Sequence, residues 1–466
     1  MVQLLDLGLV GLGVMGKNLV LNLADHGFSV AVHDSRASAI QNLAPVGGGQ
    51  ATVACDSLPE LVRALRRPRV VLLMVPAGDA VEAVVGELTV LLEPGDVVAD
   101  CGNSHYRDTE RRAEALAGRG IGFVGAGISG GAEGARRGPS IMAGGSGPAL
   151  QRVGPIFQAI AARYRDEACY AHLGPAAAGH FVKTMHNGIE YAVMQLVSEA
   201  YLILRHQLRL PIPEIRNVFA RWQETTLGSY LVGITAEILG KTEPDSGAPL
   251  LDKIADEAEQ KGTGHWALTA ALEHSTSAPL IAAAVLARQL ATDRHGRTTA
   301  QLRFGAASSD FDGETSSHVE ALRAALYASL ICAYAQGFAV LAAARRQHRW
   351  PIDLQQVARI WRGGCVIRSS LLDRVVEVYE RTPELANPMW DEAIASTLSE
   401  AQASWRLITS SAIQCGIPIP ALSSGLAYFD AYRSAQLGAN LIQAQRDYFG
   451  KHGFKRTDRA GVFHLP

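Results

Sequence analysis

The amino-acid sequence predicts a doubly wound α/β domain, followed by a large all-α domain and a short C-terminal tail. Three observations carry this. Over the first third, short apolar runs alternate with helix-period stretches, as βαβ units on a parallel sheet require. Glycine is dense up to Gly147 and sparser afterwards. From about Ala176, long Ala/Leu-rich helical patterns dominate and strand signals fade. The chain accordingly divides into residues 1–176, 177–434 and 435–466.

The elements follow in order. Leu4–Val10 is the first strand candidate, and Val14–His26 is the helix after it. Ser29–His33, Val70–Val75, Val97–Asp100 and Ile121–Gly125 are further strand candidates with helical stretches between them. In the second domain, Ala324–Ala344 carries no charge between Arg323 and Arg345, a length that would span a bilayer. It is rich in alanine, contains Ser329, Tyr334 and Gln336, and has no comparable neighbour, so a buried core helix is expected. The second domain also repeats itself. Phe181–Leu210, ending in Pro211-Ile212-Pro213-Glu214, resembles Val319–Trp350, ending in Pro351-Ile352-Asp353-Leu354, with Glu199 and Gln336 at matching places. That pattern predicts an internal duplication. The tail from Ala435 is more polar, and such a tail either dangles or docks on a partner subunit.

Composition narrows the function classes. With 466 residues, two or three domains are expected; 48% hydrophobic and 19% charged residues provide a large core and exclude wholesale disorder. A formal net charge of -2 argues against nucleic-acid binding by bulk charge. The cysteines Cys55, Cys101, Cys169, Cys332, Cys365 and Cys415 form no CxxC pair, which suits reduced thiols in a cytoplasmic protein. The histidines form no HExxH and no Cys/His cluster has zinc spacing, so no metal site is expected. The start, Met1-Val2-Gln3-Leu4-Leu5, lacks a basic n-region and is not expected to be a signal peptide.

Gly11-Leu12-Gly13-Val14-Met15-Gly16 is a GxGxxG motif that follows an apolar strand and opens a helical pattern. In that context it is the phosphate turn of a Rossmann-type dinucleotide site. Gly11 permits the tight turn, Gly13 lets backbone approach a pyrophosphate, and Gly16 lets the helix pack on the sheet. At the end of the second strand, Asp34 lies where a ribose-binding acid is expected. A carboxylate there favours NAD and repels the 2′-phosphate of NADP. Ser35 and Arg36 pull the other way, since they could bind that phosphate.

The densest chemistry is His180-Phe181-Val182-Lys183-Thr184-Met185-His186-Asn187-Gly188-Ile189-Glu190-Tyr191. At 3.6 residues per turn, Lys183, His186, Asn187, Glu190 and Tyr191 share a sector of roughly 140°. Lys183 and Glu190 stand about 10 Å apart along the axis. That suits a base and an acid at two ends of a short carbon chain, because a desolvated lysine can act as a base near neutral pH. Asn103 and Ser104 follow Asp100 at a strand end, where open α/β sheets bind ligands. Gly125–Gly131 offers the Ser129 hydroxyl and exposed backbone amides of a glycine loop. Lys261 and Thr263 offer a cation and a hydroxyl, Arg288 ends an apolar helical stretch and wants a partner, and Arg446 and His452 sit in the tail.

At these residues the sequence resembles the 6-phosphogluconate dehydrogenase family of the long, decarboxylating type. The matching stretches are Gly11–Asn18, Asp100–Ser104, Tyr106-Arg107-Asp108-Thr109, Gly127–Gly131, Gly179–Tyr191, Gln260–Gly264, Trp361–Ile367 and Ala444–Gly450. The glycine motif, the serine-glycine-glycine loop and the lysine helix also resemble the broader β-hydroxyacid dehydrogenase superfamily. The resemblance implies a homodimer whose C-terminal tail threads into the other subunit. It implies that Lys183 is the general base for the C3 hydroxyl and Glu190 the acid that protonates C1, giving ribulose 5-phosphate and CO2. It places Asn103, Ser129, Gly130, Gly131, His186 and Asn187 on the sugar acid. It places Tyr191, Lys261, Thr263 and Arg288 on the phosphate, with Arg446 and His452 from the partner chain.

Two departures fall on the cofactor side. Family members that use NADP usually carry Asn-Arg-Thr where this chain has Asp34-Ser35-Arg36, and Val-Lys-Ala-Gly where it has Val75-Pro76-Ala77-Gly78. Both remove positive charge from its usual place, so NAD is the expected cofactor, with NADP or dual use as the alternative. Two other classes compete. A dehydrogenase of small unphosphorylated acids would have no use for Lys261, Arg288 and Arg446. A non-catalytic sensor would have no use for both Lys183 and Glu190.

Overall fold

The structure is a computed structural model that describes residues 4–41, 52–260, 262–305, 311 and 313–466. Its first part runs β1 (Leu7–Val10), α1 (Val14–Asp25), β2 (Val30–His33), α2 (Ala37–Gln41), β3 (Thr52–Ala54), α3 (Leu58–Ala64), β4 (Val70–Leu73), α4 (Asp79–Leu91), β5 (Val97–Asp100), α5 (Tyr106–Ala117) and β6 (Gly122–Ser129). It continues through α6 (Gly131–Arg137), β7 (Ser140–Gly145), α7 (Gly147–Ile160), the short strands β8 (Arg163–Tyr164) and β9 (Glu167–Ala168), and β10 (Tyr170–His172). Eight strands form one sheet in the order β10-β7-β6-β5-β4-β1-β2-β3. All its neighbours are parallel except β6 and β7. The central strands β1, β4 and β5 are buried at every residue, because helices cover both faces.

The helical part comprises α8 (Ala176–Leu202), a π-helical turn at Ile203–Gln207, α9 (Ile212–Gln223), α10 (Tyr230–Leu239), α11 (Thr263–Glu273), α12 (Pro279–Thr292) and α13 (Arg294–Phe304). After it come α14 (Thr315–His348), α15 (Leu354–Ile360), α16 (Leu371–Arg381), α17 (Glu392–Gln414), α18 (Pro420–Tyr432) and α19 (Ala439–Gly450). The uncharged stretch predicted as a core helix lies in α14. That helix is long and apolar enough to cross a membrane, but 94% of its most apolar window is buried among its neighbours. All six thiols are free, and all but Cys415 are buried.

One expectation fails in the first part. Gly125–Ser129 was expected to belong to a loop with exposed amides, yet β6 runs on to Ser129 and pairs with β7 from Val124 onward. The glycines serve close packing there. A Cβ on Gly127 would sit 2.2 Å from the Cβ of Lys183. The sheet therefore reaches under α8, with Gly179 against Gly125 and Gly144 and Lys183 against Gly127.

The two long helices cap each other's neighbours. On α8, the buried Glu199 accepts the Ala421 and Leu422 N–H groups at 2.8 Å each, closing the start of α18. On α14, the buried Gln336 accepts the Leu280 and Ile281 N–H groups at 3.0 and 3.4 Å, closing the start of α12. The residues before these two capped helices adopt nearly the same backbone: φ -137°, ψ 54° at Ala278 and φ -132°, ψ 52° at Ile419.

Glu199 carries a stability prediction. Burial pushes its carboxyl from the ordinary 4.5 up to about 7, against the pull of the Ala421 and Leu422 N–H groups and Gln195. A raised acid favours the folded state most below the unfolded value, and that advantage is lost as pH rises through the folded value. The interval corresponds to about 3 kcal/mol. Glu199→Gln, which copies Gln336, is therefore expected to be more stable than the wild type at pH 8, with the gain shrinking toward pH 5. Denaturant titrations at the two pH values check this; a gain that is equal at both removes the ionisation argument.

Candidate active site

At the carboxyl end of β1 the glycine motif turns into α1. Gly11 has φ +100°, and a side chain there would meet the Met74 carbonyl at 2.5 Å. Gly16 lies against Gly11, whose carbonyl would sit 1.9 Å from an added Cβ, so strand and helix touch as bare backbone. Gly13, just before α1, has nothing within 4 Å of such a Cβ. No side chain caps α1, and its first turn has no acidic residue. Its first N–H groups thus have no intrahelical partner, an arrangement that fits a dinucleotide pyrophosphate. In the same turn Leu12 is buried, Met15 half-buried and Val14 exposed.

Asp34 follows β2 and is buried. Its Oδ2 accepts the Leu12 N–H at 2.7 Å, while Oδ1 accepts the Arg36 backbone N–H at 2.9 Å and Arg36 Nε at 3.1 Å. Burial pushes the carboxyl up, but the Arg36 guanidinium and the two N–H groups outweigh it and hold it below its ordinary value. Sequence reasoning set Asp34 against Arg36 as opposed votes on the cofactor. The structure instead joins them as an ion pair, with Arg36 and Ser35 exposed. The loop after β4 lies beside this turn: Val75 comes within 2.9 Å of an added Gly11 Cβ, and Pro76 and Ala77 are exposed. Asn103, after β5, is also exposed.

The polar face of α8 is buried. Lys183, His186, Asn187 and Tyr191 are each less than a tenth exposed, and the Glu190 side chain is 23% exposed. The His186 ring is the hub. Nε2 lies 3.1 Å from Ser129 Oγ, and Nδ1 lies 3.3 Å from Asn187 Oδ1, 3.5 Å from Lys183 Nζ and 3.7 Å from Glu190 Oε2. Burial lowers the Lys183 ammonium below the ordinary lysine value, with Glu190 and Cys365 opposing. Burial raises the Glu190 carboxyl, with Lys183 and Arg288 opposing. His186 is driven well down, by burial and then by Lys183, and stays neutral. A lysine shifted toward its free-base form thus shares a largely buried helix face with a carboxyl shifted toward its acid form. Gly130 and Gly131 follow Ser129 with φ +121° and +63°, and Gly131 faces open space.

Three of the anion-type residues converge beside this face. The Arg288 guanidinium carbon lies 3.9 Å over the Tyr191 ring, and Arg288 Nη2 donates to Met194 Sδ at 3.8 Å. Among the described residues Arg288 has no ion pair, so its expected partner is the ring. Thr263 is buried at the start of α11, where Tyr191 packs so closely on Gly264 that an added Cβ would be 2.5 Å away. Lys261 lies outside the described residues. Arg446 and His452 are exposed, and among the described residues their polar and ring contacts stay in the tail, with Gln443 and Phe449. This chain by itself does not bring them to α8. Among the described residues, no group of three His, Cys, Asp or Glu could hold a metal ion.

Sequence reasoning gave no role to Trp361, which is fully buried with its ring edge-on to His186 at 5.6 Å. Its place in the Trp361–Ile367 stretch was the available signal. Cys365, a buried thiol pushed up to about 12 that neighbours Lys183, was likewise passed over.

A dinucleotide turn, joined through β6 to a buried helix face holding a base-type lysine and an acid-type glutamate, defines a two-domain nicotinamide-dependent dehydrogenase. Residues 6–174 match the NAD binding domain of 6-phosphogluconate dehydrogenase, and residues 179–466 match the 6-phosphogluconate dehydrogenase C-terminal domain. The chain is 45% identical over 460 residues to the NADP(+)-dependent, decarboxylating 6-phosphogluconate dehydrogenase of Bacillus subtilis (strain 168), covering 98% of each chain. It is 43% identical over 460 residues to the NAD(+)-dependent, decarboxylating enzyme of the same organism, again with 98% of each covered. It superposes on Plasmodium falciparum 6-phosphogluconate dehydrogenase with a TM-score of 0.95 at 37% identity over 99% of each chain. The chain belongs to the 6-phosphogluconate dehydrogenase family.

Proposed function

We propose that this chain oxidatively decarboxylates 6-phospho-D-gluconate to D-ribulose 5-phosphate and CO2 while reducing NAD or NADP, a step of the pentose phosphate pathway. The observation that carries the mechanism is the α8 face, where burial shifts Lys183 toward the free base and Glu190 toward the acid. Bound NAD(P) supplies the hydride acceptor. Lys183 takes the C3 hydroxyl proton as hydride leaves C3. The resulting 3-keto acid loses CO2 beside the protonated lysine, which supports the developing enolate. Glu190 then delivers a proton to C1 of the enediol. Asn103, Ser129, Gly130, Gly131, His186 and Asn187 orient the sugar acid, and Tyr191, Lys261, Thr263 and Arg288 hold the phosphate. NAD is taken as the preferred cofactor, with NADP or dual use as the alternative, since the two Bacillus subtilis relatives divide between these cofactors. An assay of CO2 release together with NADH or NADPH formation tests the whole reading. Absence of both with 6-phosphogluconate, or equal turnover of unphosphorylated acids, would overturn it.

The chain is further proposed to work as a homodimer in the cytoplasm, with Arg446 and His452 supplied across the interface. Support comes from their exposure in the single chain and from Leu441, Ile442, Tyr448 and Phe449, large apolar residues of α19 that are all more than half exposed. Mixing Lys183→Met chains with Arg446→Ala chains should restore activity, because one of the two sites in the heterodimer is then complete. No recovery after verified subunit exchange counts against shared sites.

A further inference from the structure

The stretch Tyr106-Arg107-Asp108-Thr109 matches the family yet has no part in the mechanism above. It opens α5, and α5 touches both loops that border the site. We propose that Arg112, on α5, is a positioning residue that clamps the cofactor-side loop 75–78 to the sugar-acid-side loop 102–104. The proposal rests on the proposed function, with Asn103 on the sugar acid and loop 75–78 beside the cofactor.

The Arg112 side chain is 1% exposed, and its whole guanidinium fork is engaged. Nε donates to Glu82 Oε1 at 2.9 Å, and Nη2 lies 2.8 Å from the same oxygen. Glu82 stands in the first turn of α4, directly after the cofactor-side loop. Nη2 also donates to the carbonyl of Gly78, the last residue of that loop, at 3.4 Å. On the other side, Nη1 donates to Ser104 Oγ at 3.3 Å and lies 3.6 Å from Asp100 Oδ2. Ser104 Oγ donates to Asp100 Oδ2 at 2.5 Å, and Asp100 Oδ1 accepts the Gly102 N–H at 3.1 Å. Asn103 thus sits exposed between two residues pinned to one buried carboxylate. The guanidinium fixes that unit relative to the loop beside the dinucleotide turn.

The same helix reaches the lysine. Thr109, one turn before Arg112, has its Oγ1 2.7 Å from His180 Nδ1, and His180 precedes Lys183 by one turn on α8. Helix α5 therefore touches the cofactor loop, the sugar-acid loop and the base-bearing helix. Hydride transfer needs donor and acceptor carbons in close register, and a displacement of about 1 Å can cost roughly 10²-fold in rate. A planar fork fixes two loops at once, whereas an ammonium on a flexible stem holds only a point.

Arg112→Lys in the full-length enzyme tests this, with 6-phosphogluconate and NAD. The expected result is a fall in kcat of about 10- to 100-fold, with both KM values within about threefold of wild type. The primary deuterium isotope effect with C3-deuterated substrate should rise, as hydride transfer becomes limiting. A purely structural role would lower the melting temperature without moving the isotope effect. If Arg112→Lys does not fold, Glu82→Gln serves instead, because Glu82 is part-exposed; a smaller loss with the same isotope signature is then expected. A folded variant with wild-type kcat and isotope effect overturns the clamp. A wild type that does not turn over 6-phosphogluconate overturns the proposed function instead, and amide exchange still reads the clamp. Added NAD should protect 75–78 and 102–104 together in the wild type, but only 75–78 in Arg112→Lys. The same protection in both proteins overturns it.

Discussion

Lys183→Met is expected to lower turnover by about 10²–10⁴-fold, the usual cost of a lost general base, with cofactor binding largely unchanged. The two halves of this expectation rest on different parts of the chain. The proposed pyrophosphate site is the Gly11–Gly16 turn and the uncapped start of α1, which Lys183 does not build. The proposed base sits on α8, where methionine fills the buried space of the lysine stem without its amine. The pH profile supplies a second readout. Burial lowers Lys183, so the fraction of free base rises with pH from a point below the ordinary lysine value. Burial raises Glu190, so the acid form persists to higher pH than for an ordinary glutamate. The wild type should therefore show a bell-shaped kcat/KM, rising with the lysine and falling with the glutamate. Glu190→Gln should remove the falling limb and leave the rising one. A Lys183→Met enzyme that retains more than about a tenth of wild-type turnover is outside the range for a lost base and dismisses the lysine from that role.

How much of this could be seen in the sequence depends on how far each signal reaches along the chain. The α8 face was legible because five polar types at helical spacing need only 3.6-residue periodicity to be placed on one stripe. Leu7–Val10, Val70–Leu73 and Val97–Asp100 were legible as strands, since burial on both faces leaves continuous apolar runs. The glycines of β6 misled because a glycine that permits a turn and a glycine that admits a crossing helix look alike until the helix is present. The Asp34–Arg36 pair also escaped, although the residues are two apart, since spacing alone does not say whether neighbouring charges meet each other or a ligand. Glu199 and Gln336 were visible as equivalent positions, but their capping partners lie far away, at Ala421–Leu422 and Leu280–Ile281. Arg112 was the least visible, because its partners come from two separate segments, 78–82 and 100–104, and none stands at a recognisable spacing.

NAD is expected to be preferred over NADP, and replacing Asp34, Ser35 and Arg36 with Asn, Arg and Thr is expected to move the preference toward NADP. The Leu12 N–H holds Asp34 Oδ2 at 2.7 Å, so the carboxylate is fixed beside the glycine turn. A unit charge about 5 Å from a 2′-phosphate charge, at an effective dielectric near 20, costs on the order of 3 kcal/mol. The phosphate carries nearly two charges, which increases the penalty, while salt and exposure reduce it. Arg36, bound to the same carboxylate, reduces it further. A remainder of about 1.4–3 kcal/mol corresponds to roughly 10- to 150-fold discrimination. The ion pair also separates the two residues' contributions. If Arg36 only neutralises Asp34, then Arg36→Ala strengthens the preference for NAD by exposing the full carboxylate charge. If Arg36 swings out to the 2′-phosphate, Arg36→Ala selectively raises KM for NADP. Steady-state kcat/KM for both cofactors in the wild type and in these variants decides the matter. A clear NADP preference in the wild type would mean that Ser35 and Arg36 outweigh the buried carboxylate, and that Asp34 serves to brace the glycine turn through Leu12 and not to select the cofactor.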